Sequence, residues 1–208
     1  MRISENLMLD PYVRPFVDPP LNYIGKRLAA QGISANVITL LGFAFGLIAI
    51  FMIMINQYET AAICICLNRL LDGVDGAVAR FSQPSDFGGF LDIVCDFIIY
   101  SGVVFAFGVA NPDNLFCVTI LIFSFIGPIS SFLAYAIIAS KRQLSTTRRG
   151  KKSFFHMGGI CEGTETAALL ILLCCFPDYF NPIAVIYGIL CWMTTFGRIQ
   201  TAWTDFGG

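Results

Sequence analysis

Apolar residues occur along this chain in blocks too long and too pure for the one-sided stripe of a water-soluble helix. Polar punctuation divides them into six stretches, each near the ~20 residues that cross a hydrocarbon core. The first runs from about Ala35 to Ile55, with Ser34 in position to cap it. A short loop, Asn56 to Thr60, leads to a second span at about Ala61 to Phe81. The third covers about Asp86 to Ala110 and ends on the turn Asn111-Pro112-Asp113-Asn114. The fourth, about Leu115 to Ser140, contains Gly127-Pro128, a pair expected to kink it. A basic loop, Lys141 to Lys152, precedes the fifth span at about Met157 to Phe176. Pro177 to Asn181 turns the chain into the sixth, about Pro182 to Trp203.

Residues 1–33 do not span. Asp18-Pro19-Pro20 offers an N-cap followed by proline at the first helical position. Leu21, Ile24 and Leu28 follow at helical spacing, Lys26 and Arg27 lie beside them, and Gly32 is a stop. This pattern predicts a short amphipathic helix on the membrane surface. No apolar core of a cleavable signal peptide is visible in this polar, proline-rich start. The expected architecture is therefore all-α: an interfacial segment over 1–33, then a domain of six transmembrane helices over 34–208.

Composition agrees. The 208 residues are 56% hydrophobic and only 13% charged, and mean hydropathy is +0.73. A net charge of −1 leaves no basic surplus, so no nucleic-acid partner is expected. The eight cysteines fall in apolar stretches without metal-type spacing, and are expected to be buried, inert, small apolar residues. Distribution of charge says more than its sum. The loops at 56–60, 111–114 and 177–181 carry no Lys or Arg, whereas the 13 basic residues lie in the tails, at the other two connections or in spans near them. The positive-inside rule then places both termini in the cytoplasm of a protein of the plasma or inner membrane.

Against this apolar background, the stretch Asn68 to Asp96 stands out. It carries Asp72, Asp75, Asp86, Asp92 and Asp96. Insertion scales put an aspartate at the bilayer centre at about 2.5–3.5 kcal/mol, so several together need a reason. Asp72 and Asp75 are three apart and Asp92 and Asp96 four apart, so each pair shares a helix face. With Ser82 to Ser85 as a turn, the two helices run antiparallel and the four carboxylates reach matching depths, ~7–15 Å from the turn. Hard oxygen donors in that number suit Mg²⁺ or Mn²⁺. Arg69 and Arg80 are too few to neutralise four carboxylates. Asp86 fits a structural place at a helix N-terminus.

The same residues carry a resemblance. Asp72-x2-Asp75-Gly76-x2-Ala79-Arg80, then Gly88-x3-Asp92-x3-Asp96, is similar to the signature of the CDP-alcohol phosphotransferases. That family's pattern, D-x2-D-G-x2-A-R-x8-G-x3-D-x3-D, differs only in the middle spacer, which here is seven residues, Phe81 to Phe87. The resemblance implies a transferase of phospholipid biosynthesis. An acceptor hydroxyl would attack the β-phosphorus of a CDP-linked alcohol, with CDP-diacylglycerol as the favoured donor, and CMP would leave. It implies Asp72, Asp75, Asp92 and Asp96 around two Mg²⁺ or Mn²⁺ ions, Asp96 also as general base, and a homodimer. Gly76, Ala79, Arg80 and Gly88 would face the nucleotide. Asn36 and Thr39, one turn apart at the entrance of the first span, serve either as helix-end caps or as part of that pocket. The basic run containing Arg149, Lys151 and Lys152 serves as a topology signal and anionic-lipid contact, or as a site for a phosphorylated acceptor. Glu162 and Glu165 suit an inward-facing arginine. Two rival readings use intramembrane carboxylates as well: a cation transporter, which would show a matching acidic motif in a second repeat, and an Asp-rich prenyltransferase, which would show a second Asp-rich motif.

Overall fold

A computed structural model describes residues 10–142, 161 and 163–207, and the side chains from Val17 onward within them. These residues are helical, with no strand among them. Seven helices follow in order: α1 Asp10–Ala30, α2 Ala35–Met54, α3 Tyr58–Phe81, α4 Asp86–Ala110, α5 Leu115–Lys141, α6 Gly163–Cys175 and α7 Phe180–Phe206. Short 3-10 turns, Pro112–Asn114 and Pro177–Tyr179, lead into α5 and α7.

Helices α2, α4, α5 and α7 are each long and apolar enough to cross a membrane. Their outward faces carry Phe51, Phe105, Phe123, Ile137 and Ile186, all exposed, as lipid-facing surfaces require. The core between them is equally apolar. At one end Phe107 of α4 stacks between Tyr58 of α3 and Phe180 of α7, at centroid distances of 5.6 and 4.9 Å. Toward the other end α5 and α7 are tied together. Tyr135 donates to Asp205 at 2.7 Å, and Arg142 reaches the Asp205 and Phe206 carbonyls.

Four details depart from the sequence reading. Helix α1 begins eight residues before Asp18 and runs through Pro19-Pro20; proline's fixed φ is compatible with a helix, and the chain continues at the cost of two backbone donors. Ser34 stands at the N-cap of α2 in extended conformation but accepts no capping bond, whereas Ser85 caps α4 by accepting from the Gly88 N–H at 3.0 Å. Helix α3 begins at Tyr58, three residues early. Finally, Cys66 and Cys175 are exposed and Cys117 half-buried, while the other five cysteines are buried. In a lipid-facing protein the outer surface is as apolar as the core, so composition alone cannot place a cysteine inside.

Packing around α3 positions the site. Helices α3 and α4 make their close backbone contacts with α2 rather than with each other. Small residues bring α2 in: Gly42 lies against Leu71, Gly46 against Ile99, and Gly102 of α4 against Ile50. The space between α3 and α4 is thereby left to side chains. On its far side α3 receives α1, where Gly25 lies on the backbone of Ala77 and Val78, and Leu21 fills the place of a Gly73 side chain. Leu21, Ile38, Val74, Ala77 and Val78 form a small buried cluster there.

Candidate active site

Asp72, three residues before Asp75 on α3, points into the cleft, as do Asp92 and Asp96 from α4. Oxygens of Asp72, Asp92 and Asp96 lie within 4.8 Å of one another. Three carboxylates at that separation repel unless a cation joins them. All the donors are hard oxygens, so the set fits a divalent ion such as Mg²⁺ or Mn²⁺. Asp75 stands apart from this trio. It is buried, and its Oδ2 accepts a 2.6 Å hydrogen bond from Thr39 on α2. That bond anchors one carboxylate to the helix that also holds α3 and α4 in place.

Asn36, one turn before Thr39, meets the start of α4. A Cβ built on Gly88 would stand 2.8 Å from the Asn36 side-chain oxygen, so glycine is what allows the approach. Gly76, by contrast, faces open space, with only the Arg80 guanidinium near. Ala79 is half-buried and Arg80 exposed at the end of α3. The Arg80 fork donates to Asn22 of α1 through Nη2 at 2.8 Å and Nε at 3.2 Å. Ser34 stands at the N-cap of α2, while Thr39 meets Asp75 of α3 and Asn36 meets Gly88 of α4.

Beneath the carboxylates lies a polar floor. Arg69 of α3 donates to Asp96 through Nη2 to Oδ1 at 2.5 Å and through Nη1 to Oδ2 at 3.2 Å. Its Nη1 also donates to the Tyr100 hydroxyl at 2.6 Å and stands 3.8 Å from Asp72. Tyr100 in turn donates to Asp96 Oδ2 at 3.0 Å. Arg69 Nε donates to the Asn68 side-chain oxygen, and Asn68 Nδ2 donates to the Gly42 carbonyl at 2.8 Å. The floor therefore ties α2, α3 and α4 together beneath the trio.

Sequence reasoning named Arg69 only as an insufficient counter-charge, gave Asn68 no part in the site, and missed Tyr100 and Asn22. A signal existed for two of them. Arg69 precedes Asp72 by three residues and Tyr100 follows Asp96 by four, the spacings at which helix neighbours meet. Of the acceptor set, Arg149, Lys151 and Lys152 lie outside the described residues, as does Glu162. Glu165 occupies the first turn of α6.

Comparison with known proteins shows what the chain as a whole is similar to. Residues 33–198 match the family described as CDP-alcohol phosphatidyltransferase. The chain is 45% identical over 197 residues to the inner membrane protein YnjF of Escherichia coli, covering 94% of this chain and 96% of that one. It is 29% identical over 194 residues to the archaetidylinositol phosphate synthase of Pyrococcus horikoshii, covering 91% and 94%. In fold it is similar to the crystal structure of Mycobacterium tuberculosis phosphatidylinositol phosphate synthase with CDP-DAG bound. That likeness has a TM-score of 0.68 at 20% identity, over 88% of this chain and 94% of that one.

Proposed function

The chain belongs to the CDP-alcohol phosphatidyltransferase family, and from that membership we propose that it transfers a phosphatidyl group from CDP-diacylglycerol to an acceptor hydroxyl, releasing CMP. The observation that carries the reading is the convergence of Asp72, Asp92 and Asp96 within 4.8 Å, between two helices of an apolar bundle. A donor with a charged nucleotide head and two acyl tails suits a site reached from both water and lipid.

Roles follow from surroundings. Gly76 leaves room for close approach of phosphate or nucleotide to backbone, Gly88 lets Asn36 stand against the start of α4 at the nucleotide's end, and Ala79 and Arg80 line that same end. Thr39 holds Asp75 in place. Two Mg²⁺ or Mn²⁺ ions, held by Asp72, Asp75, Asp92 and Asp96, would supply charge neutralisation at the pyrophosphate. Asp96 accepts the proton of the attacking hydroxyl. An ionised carboxylate has about four acceptor positions. Arg69 and Tyr100 occupy three on Asp96, and the one left, on Oδ1, serves an ion or the proton in turn, not both at once.

The wider reading has six spans, with α3 and α6 joining the four apolar helices, and α1 as an interfacial segment at the cytoplasmic surface, seated on α3 of the catalytic domain. Both termini are cytoplasmic, and the membrane is the inner one, as the name of the Escherichia coli relative suggests. The basic run containing Arg149, Lys151 and Lys152 serves the acceptor, and the homodimer rests on the family resemblance.

The test is to incubate the purified protein with labelled CDP-dioleoylglycerol and a panel of free and phosphorylated alcohols, following CMP. Acceptor-dependent CMP release is expected, lost in excess chelator and restored by Mg²⁺ or Mn²⁺. Cation flux through proteoliposomes with no CMP release from any acceptor would overturn the reading.

A further inference from the structure

Arg69 is a cation placed by the chain itself inside a cluster built of carboxylates. Its side chain is 14% exposed, and it meets Asp96 with two parallel N–H···O bonds, the fork geometry that fixes a carboxylate plane as well as attracting it. Tyr100, itself buried, adds a third bond to Asp96, and its ring lies 5.0 Å from the guanidinium carbon. Asn68 holds the Nε side of Arg69 and is in turn held by the α2 backbone. All three nitrogens of the guanidinium are thus engaged, by Asp96 and Tyr100 of α4 and by Asn68 beside it on α3, and it cannot turn without breaking several bonds.

Two consequences follow. The clamp leaves Asp96 one acceptor position where its neighbours keep several. It also puts a positive charge 3.8 Å from Asp72, within the group that would receive a divalent ion. We propose that Arg69 and Tyr100 are positioning residues that hold Asp96 in a single orientation, and that Arg69 is a resident counter-charge that weakens the site's hold on divalent cations. The proposal rests on the reading of this cluster as a divalent-cation site. Weak binding has a use in such a site. Ions that must accompany a charged pyrophosphate in, and release CMP afterwards, are better held in full only when substrate is present.

Mn²⁺ alone is the probe, titrated into the detergent-solubilised protein and followed by electron paramagnetic resonance, with no substrate present. Arg69→Met removes the charge and the fork together, and is expected to tighten Mn²⁺ binding at least tenfold. Arg69→Lys keeps the charge and loses the fork. It should bind Mn²⁺ within threefold of the parent, and its bound-Mn²⁺ spectrum should broaden because Asp96 is no longer fixed. Tyr100→Phe should leave the affinity within threefold and broaden the spectrum less than Arg69→Lys does. Should Arg69→Met not fold, Arg69→Gln, which also removes the charge but keeps polar donors in the cleft, takes its place, and unchanged or weaker Mn²⁺ binding by it overturns the counter-charge. A folded Arg69→Met variant with unchanged or weaker Mn²⁺ binding would overturn the counter-charge. Parent-like spectra from both Arg69→Lys and Tyr100→Phe would overturn the positioning role. A parent protein that binds no Mn²⁺ would instead bring down the divalent-cation reading itself.

Discussion

The four motif aspartates share a residue type but not a set of neighbours, and their differences make separate predictions. Asp72 and Asp92 face the shared space with Asp96, so replacing either with Asn removes a charged donor where charge is what an ion would bind. Asp72→Asn and Asp92→Asn are expected to lose binding of CDP-dioleoylglycerol in the presence of Mg²⁺, measured by equilibrium binding. Asp96→Asn keeps shape and one acceptor oxygen but cannot take a proton. It should retain donor binding while turnover falls ~10²–10⁴-fold, the usual loss for a general base. Normal turnover by Asp96→Asn would remove it from that role. Thr39→Val tests Asp75 indirectly. It deletes the 2.6 Å bond to a charged acceptor, an interaction worth about 1.5–3 kcal/mol, and should lower thermal stability and donor affinity together. Unchanged donor affinity would show that Asp75 needs no anchor. The carboxylates were legible in sequence because a charge in an apolar span is costly enough to be a signal by itself. Asn22 was not, since its partner Arg80 lies 58 positions away and nothing in the pattern of α1 announces the contact.

At the scale of elements, helix spacing in the sequence located the bundle well because long apolar runs and turn residues are strong local signals. It placed the ends of α3 and α4 at Phe81 and Asp86, as observed. It could not foresee that α2 would hold α3 and α4 apart, because that depends on which faces of three helices meet. Nor could it foresee what α1 does. The amphipathic pattern spoke of a membrane surface, yet the buried edge of α1 is set on α3 through Gly25 and Leu21. A Cβ on Gly25 would lie 2.6–2.9 Å from the Cβ and backbone of Ala77 and the backbone of Val78, atoms that cannot swing aside. Gly25→Leu should therefore lift α1 from α3, with an overpacking cost of about 1–3 kcal/mol or more. Because Asn22 on α1 holds Arg80, donor affinity should fall as well. Asn22→Ala separates the two effects, since it breaks the Arg80 contact and leaves the helix seated. Thermal unfolding in detergent and donor titration measure both. A Gly25→Leu protein with full stability and affinity would mean that α1 is not seated on α3 in the membrane.

Over the whole molecule, the decisive asymmetry is between the two ends of the bundle. One end is closed by the aromatic stack of Tyr58, Phe107 and Phe180, and its turns at 56–57, 111–114 and 176–179 carry no Lys or Arg. At the other end stand Lys26, Arg27, Arg80, Lys141 and Arg142, and the aspartate cleft opens between helices that end there. Positive charge near the ends of spans resists translocation, and the proposed orientation accordingly puts the basic end in the cytoplasm. A nucleotide donor also needs an opening on that side, since CDP-linked head groups are too polar to cross the core. Charge and chemistry thus support the same proposed orientation for unrelated reasons, and one measurement tests both. Single cysteines at Asp113 and Asp178, both exposed, in a background without the native eight, should react with a membrane-impermeant maleimide in intact cells. One at Lys141 should react only after the cells are opened. Labelling at Lys141 from outside would reverse the bundle and leave the aspartates facing away from the compartment that supplies CDP-activated lipids. The transferase reading would then lose its substrate even though the site itself were intact.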